Sequence, residues 1–110
     1  MATTAYKILG QSAPSATTST DLYTVPSATE TIVSSLVVTN RSSSAATYRV
    51  SVSSNGAVLA NEQYLVYDAT INANDVVALS LGITLDATDK IRVYASTANL
   101  SFNAFGTEIA

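Results

Sequence analysis

The sequence predicts an all-β fold, an antiparallel β-sandwich with jelly-roll character and about eight to nine short strands. Three observations lead there. Hydrophobic residues alternate with a period of two almost from end to end, and β-branched or aromatic residues fill the alternating stretches. Clusters of Asn, Asp, Gly and Ser punctuate those stretches at short intervals. No segment reads as a helix that could carry a crossover between parallel strands, so the sheets should be antiparallel.

Taken in order, Tyr6 to Leu9 reads as a short strand that Gly10 ends. Gln11 to Thr20 is a Ser/Thr/Ala/Pro stretch without periodicity, so residues 1–20 are expected to form an N-terminal strand and arm, with the sandwich spanning 21–110. Asp21 to Val25 is extended, and Pro26 has no N–H for a ladder, which places this segment on a sheet edge. Glu30 to Asn40 is the longest strand, with Ile32, Leu36 and Val38 expected on one face and Val33, Val37 and Thr39 on the other. Both faces are apolar, so it should be central. After the polar turn Arg41-Ser42-Ser43-Ser44, Tyr48, Val50 and Val52 alternate with Arg49, Ser51 and Ser53, which leaves one face wet.

Asn55-Gly56 is a type I′ turn signal because both residues tolerate positive φ, and it predicts a hairpin between this strand and Ala57 to Leu59. Gln63 to Asp68 and Val76 to Leu81 are the next strands, separated by Asn72-Ala73-Asn74-Asp75, and Gly82 breaks or bulges the second. Asp86-Ala87-Thr88-Asp89 turns the chain into a strand where Ile91, Val93 and Ala95 alternate with Arg92, Tyr94 and Ser96. Leu100, Phe102 and Ala104 share a face of the last long strand, with Ser101, Asn103 and Phe105 opposite.

Composition excludes whole classes of chemistry. The 110 residues include no His, Cys or Trp, so Ser-His-Asp triads, cysteine nucleophiles and His or Cys metal ligation are ruled out. A net charge of -3 argues against nucleic acid as a partner, because phosphate binding needs Lys and Arg. Only 12 % of residues are charged, against about 25 % in an ordinary soluble chain, while fifteen Ser and fifteen Thr supply the polar surface. Such a surface suits contact with neighbours. The first residues, Met1-Ala2-Thr3-Thr4, lack the features of a signal peptide, and no apolar run reaches the ~20 residues of a membrane helix, so neither export by that route nor membrane insertion is expected.

Few residues stand out as site candidates. Asp75, Asp86 and Asp89 are the clustered carboxylates, but their spacing fits no calcium loop and they read as turn residues. No metal, catalytic residue or cofactor is expected. Tyr is abundant and suits interfaces, since its ring is apolar and its hydroxyl tolerates water. Tyr94 and Arg92 share the wet face of their strand and are the better contact pair; Tyr6 and Ile8, and Tyr23 and Pro26, mark the two segments expected to pair with neighbouring subunits. Arg41, Ser43, Asn74, Asp75, Asp86 and Asp89 sit in loops that could be exposed for binding. The arginines are isolated along the chain, so any basic patch must come from folding.

A string of packing and turn residues carries a resemblance. Leu22-Tyr23-Thr24-Val25-Pro26, the run from Leu36 to Ser42 and Tyr48-Arg49-Val50 are similar to a family of small virion structural proteins of tailed bacteriophages, of the cyanophage type. Tyr67-Asp68, Ala73-Asn74-Asp75, Leu81 to Leu85, Val93 to Thr97 and Phe102 to Ile109 strengthen it, so the likeness covers roughly residues 20 to 110. It includes no catalytic signature and brings no site residue with it. It implies a non-enzymatic β-sandwich present in multiple copies in the virion, assembled in the host cytoplasm. The place would be the tail, baseplate or fibre region, or the capsid surface as a decoration (cement) protein. Expected partners are other virion proteins and further copies of the chain. The alternative is a tail-fibre adhesin module that binds host-surface glycan.

Overall fold

A computed structural model of the chain describes residues 3–110; Met1 and Ala2, the start of the expected arm, lie outside the described residues. The strands are β1 (Thr4–Ser12), β2 (Thr20–Thr24), β3 (Glu30–Asn40), β4 (Ala46–Ser53), β5 (Tyr64–Ile71), β6 (Val76–Leu79), β7 (Ile83–Leu85), β8 (Lys90–Ala95) and β9 (Leu100–Ile109). They form two antiparallel sheets. The first runs β1-β9-β3-β6, with β7 also on β3, and the second runs β2-β8-β4-β5.

β6 and β7 are two halves of one edge strand. Leu36 pairs with Leu79 and Val33 with Ile83, so three steps along β3 face four along its partner, and the extra residue sits at the break around Gly82. With these halves counted together, the first strand pairs with the last, the second with the one before it, the third with the broken strand, and β4 with β5. This nested pairing is the jelly-roll topology.

Alternation explains the core. Phe102, Leu100 and Ala104 from β9 meet Tyr48 and Val50 from β4 and Ile91, Val93 and Ala95 from β8, all essentially inaccessible. The rings of Tyr48 and Phe102 stand edge to face, with centroids 6.4 Å apart.

Three local expectations are corrected. In β3 the inward residues are Val33, Leu36 and Val38, not Ile32, Leu36 and Val38, because a bulge between Val33 and Ser35 shifts the phase by one residue. Gly10 does not end β1, which continues to Ser12 through a second bulge between Ile8 and Gly10. Both bulges need glycine close by. A Cβ on Gly10 would stand 2.2 Å from the Leu22 carbonyl oxygen, and one on Gly106 would stand 2.1 Å from that of Ile32. Finally, Asn55 and Gly56 do adopt positive φ, but Ala57 to Leu59 is not a strand. β4 pairs instead with β5, and residues 54–63 fold across the outer face of the second sheet as two short 3-10 turns.

The N-terminal stretch is tied into both sheets. β1 is hydrogen-bonded along β9, and in the connection that follows, the Thr17 N–H donates to the Ala95 carbonyl of β8. β3 is central and β2 is an edge strand, as their sequences predict, and β1 is an edge of the other sheet.

Candidate functional site

The outer face of the second sheet carries a cleft of about 240 Å³. Its floor follows from register. Arg49 of β4 lies opposite Tyr94 of β8, and Ser51 lies opposite Arg92 on one side and Tyr64 of β5 on the other. These five residues therefore project on one face although they are scattered over 46 positions of sequence, from 49 to 94. Leu59, from the segment crossing the face, closes one side, and the 13–19 connection closes another.

Arg49 is held by two kinds of contact. Its Nε donates to Asp68 Oδ1 at 2.6 Å and its second terminal nitrogen to Oδ2 at 3.2 Å. Its guanidinium carbon lies 4.3 Å from the Tyr67 ring centroid and 4.2 Å from that of Tyr94. Tyr67 in turn meets Tyr64 edge to face at 4.8 Å. Asp68 reaches Arg49 from a strand irregularity where it adopts φ of 52°, a conformation that Asp tolerates better than most residues. The hydrogen bonds and charge of Arg49 lower the Asp68 pKa, and Asp68 raises that of Arg49.

Arg92 is held from three directions. Its Nε donates to Asp21 at 3.2 Å, and one terminal nitrogen donates to Ser53 Oγ at 3.2 Å and to the Ala57 carbonyl at 2.9 Å. It thus fastens β2 and the crossing segment to the sheet. Lys90 also reaches Asp21, at 2.9 Å, and this hydrogen bond, with help from Arg92, lowers the Asp21 pKa. Arg92 and Tyr94 are therefore neighbours in one site, but Arg92 is engaged within the chain and not free on the surface.

Tyr23 is corrected as a contact candidate. Its side chain turns inward at 8 % exposure, and its hydroxyl bridges from β2 to Thr31 and Glu108 in the other sheet. Burial, with the Glu108 carboxylate beside it, pushes the phenol up to about 12. The Tyr23 hydroxyl and the Lys7 ammonium lower the Glu108 pKa. This cluster seals one end of the sandwich. Pro26 is exposed just beyond β2.

Tyr6 and Ile8 lie on the outer face of the first sheet, 84 % and 53 % exposed. Register extends that face. Tyr6 and Ile32 both sit opposite Thr107, and Ile8 lies opposite Phe105. Three strands thus present Tyr6, Ile8, Phe105 and Ile32 side by side, none of them charged at neutral pH.

The candidate loops divide between opposite ends. Arg41, Ser43, Asn74 and Asp75 gather at the Asn40 end of β3, where buried Asn40 donates to the Ser44 and Asn72 carbonyls and accepts from the Ser42 N–H. Arg41 is exposed and donates to the Ala98 carbonyl at 3.0 Å. Asp86 and Asp89 belong to the other end, near Val25. Their carboxylates accept backbone N–H groups of Ala87, Asp86 and Asn55, and Asp75 accepts that of Val76, which is turn chemistry. Among the described residues no group of three acidic, His or Cys side chains is placed to hold a metal.

Sequence reasoning missed Arg49, Ser51, Tyr64 and Tyr67 as parts of one site. The alternation that puts Arg49 and Ser51 on the wet face was visible, but the pairing of β4 with β5 was not. No protein-family model matches the chain, and no curated protein matches it.

Proposed function

We propose that the protein is a non-enzymatic structural component of a tailed-phage virion. In this reading it stands in multiple copies in the tail, baseplate or fibre region, or on the capsid surface as a decoration protein. The observation that carries the reading is the outer face of the first sheet. Apolar side chains at Tyr6, Ile8 and Ile32 stand exposed on the two strands that flank β9, next to an open β1 edge, and patches of this kind mark protein contacts. A jelly roll is a common building block of capsids, an analogy of fold. The low charge and the likeness of residues 20 to 110 to virion proteins point the same way.

Antibody labelling of purified particles tests it. Labelling over the head fits a decoration protein, and labelling on the tail or its tip fits a baseplate or fibre component. Particles that lack the protein overturn the reading.

A second reading, a glycan-binding adhesin module, is favoured by the Arg- and Tyr-lined cleft on the opposite sheet. It moves the binding surface from the loops to a sheet face.

A further inference from the structure

The geometry points to the cleft on the second sheet as a binding site for a single carboxylated pyranose, a hexuronate unit of an acidic polysaccharide. This rests on the adhesin reading and names its ligand class; it is independent of the assembly reading.

Charge selects the carboxylate. Among the described residues, the only charged side chains that line the cleft are Arg49 and Arg92. The carboxylates that hold them, Asp68 and Asp21, are not among its lining groups. A protein of net charge -3 thus turns two guanidiniums and no carboxylate toward the cleft. Both guanidiniums are fixed before any ligand arrives, and each keeps one terminal nitrogen, Nη1 of Arg49 and Nη2 of Arg92, without a hydrogen-bond partner among the described residues. A planar, preorganised donor set suits a carboxylate and lowers the ordering cost of binding.

Hydroxyls and rings select the sugar. Ser51 is only 3 % exposed, and no hydrogen bond reaches its hydroxyl from the described residues. No fully buried polar side-chain atom among those residues lacks a partner, so this hydroxyl opens into the cleft floor. Tyr64, Tyr94 and Leu59 supply apolar walls against which the C–H face of a pyranose can lie. A bare phosphate or sulfate would leave those walls unused. At about 240 Å³ the cleft is below the usual range for a nucleotide or drug-sized ligand and suits one ring. Affinity at one such site will be weak, and repeated copies on a particle would raise it through avidity.

The test is an amide-resolved NMR titration of the full chain with trigalacturonate. Its methyl ester, which has the same shape without the charge, is the comparison, and inorganic phosphate and sulfate are the ion controls. Saturable shifts are expected at Arg49, Ser51, Arg92 and Tyr94 with a Kd near or below ~1 mM, weakened about tenfold or more by esterification. Arg49→Gln, whose ion pair is with exposed Asp68 and does not fasten the cleft walls, should weaken binding by a similar factor, and Tyr64→Ala should weaken it about fivefold or more while leaving the spectrum folded. Equal binding of acid and ester overturns the carboxylate assignment and leaves the adhesin reading standing. No saturable shift with either overturns both. The same shifts at the same affinity with phosphate or sulfate mean an adventitious ion only, and also overturn the proposal.

Discussion

The two outer faces of this sandwich are made from the same alternating pattern and end up chemically opposite. On the first sheet the outward side chains of β1, β9 and β3 include Tyr6, Ile8, Phe105 and Ile32, which make no polar contact with one another. On the second sheet the outward side chains include Arg49, Arg92 and Tyr94, bound into ion pairs and ring contacts around Ser51 and partly roofed by residues 54–63. The second face is covered by its own chain except at the cleft. The first is not, and a small domain with one unoccupied apolar face has a place to put a neighbour.

The largest effect separates core from surface on a single strand. Phe102 and Phe105 are both in β9, three residues apart and on opposite faces. Phe102→Ala should cost about 3–5 kcal/mol, because its fully buried ring packs on Tyr48 and the two sheets cannot close over the cavity. Phe105→Ala should cost less than ~1.5 kcal/mol, since its ring faces outward and is only partly buried. Urea unfolding measures both. Equal losses would mean that the outer face is as tightly packed as the core, and the contrast between the faces would fail.

A smaller effect tests whether the second face is built by its polar contacts. Arg92→Ala removes hydrogen bonds to Asp21, Ser53 and Ala57 and should destabilise by about 1–2 kcal/mol. Ile32→Ala on the first face removes only half-exposed apolar surface and should cost about 1 kcal/mol or less. Amide exchange sharpens the comparison: Arg92→Ala should speed exchange in residues 54–63, which that side chain fastens, and Ile32→Ala should leave them unchanged.

How much of this was legible in the sequence depends on distance along the chain. The all-β class, the buried phase of Tyr48 and Phe102, the central place of β3 and the edge place of β2 are local patterns, and alternation or a single proline reveals them. The bulge at Ser34 is not local. It exists because β3 and β9 approach where Gly106 lacks a Cβ, and it swaps Ile32 from the expected inner face to the outer one. The cleft was hidden for the same reason: Arg49, Tyr64 and Tyr94 are brought together only by the β5-β4-β8 register. Tyr23 is the instructive miss. An edge tyrosine suggests a contact residue, but the hydroxyl that makes Tyr suited to interfaces here reaches Glu108 across the sandwich.

That inter-sheet bridge belongs to neither outer face, and pH isolates it. The folded pKa of Tyr23 is raised from 10.0 to about 12, so its contribution to stability is complete below pH 10 and is lost as pH rises through about 12. Burial also raises the Tyr48 pKa, so Tyr23→Phe should flatten the alkaline limb in part, not wholly. On the acid side the sign reverses. Glu108, Asp21 and Asp68 have lowered pKa values, so their contributions are present above the ordinary carboxylate range and lost as pH falls through the folded values. Glu108→Gln should remove one part of that acid limb while the pairs on the second sheet retain theirs. Thermal melts across pH read both limbs, and an alkaline limb unchanged in Tyr23→Phe would break the assignment.

The smallest effect on folding should be the most telling for assembly. Ile8 is 53 % exposed on the edge strand β1, so Ile8→Lys should change stability by no more than about 0.5 kcal/mol. If the first face meets a neighbour, the same substitution buries an unpaired ammonium in the contact, and incorporation into particles should fall sharply. Lysine on the second face, as in Tyr64→Lys, should leave incorporation intact. Comparing the amounts of each variant in purified particles makes the two sheets their own controls. Loss with both variants would point to a general folding defect, and loss with Tyr64→Lys alone would move the assembly surface to the cleft side.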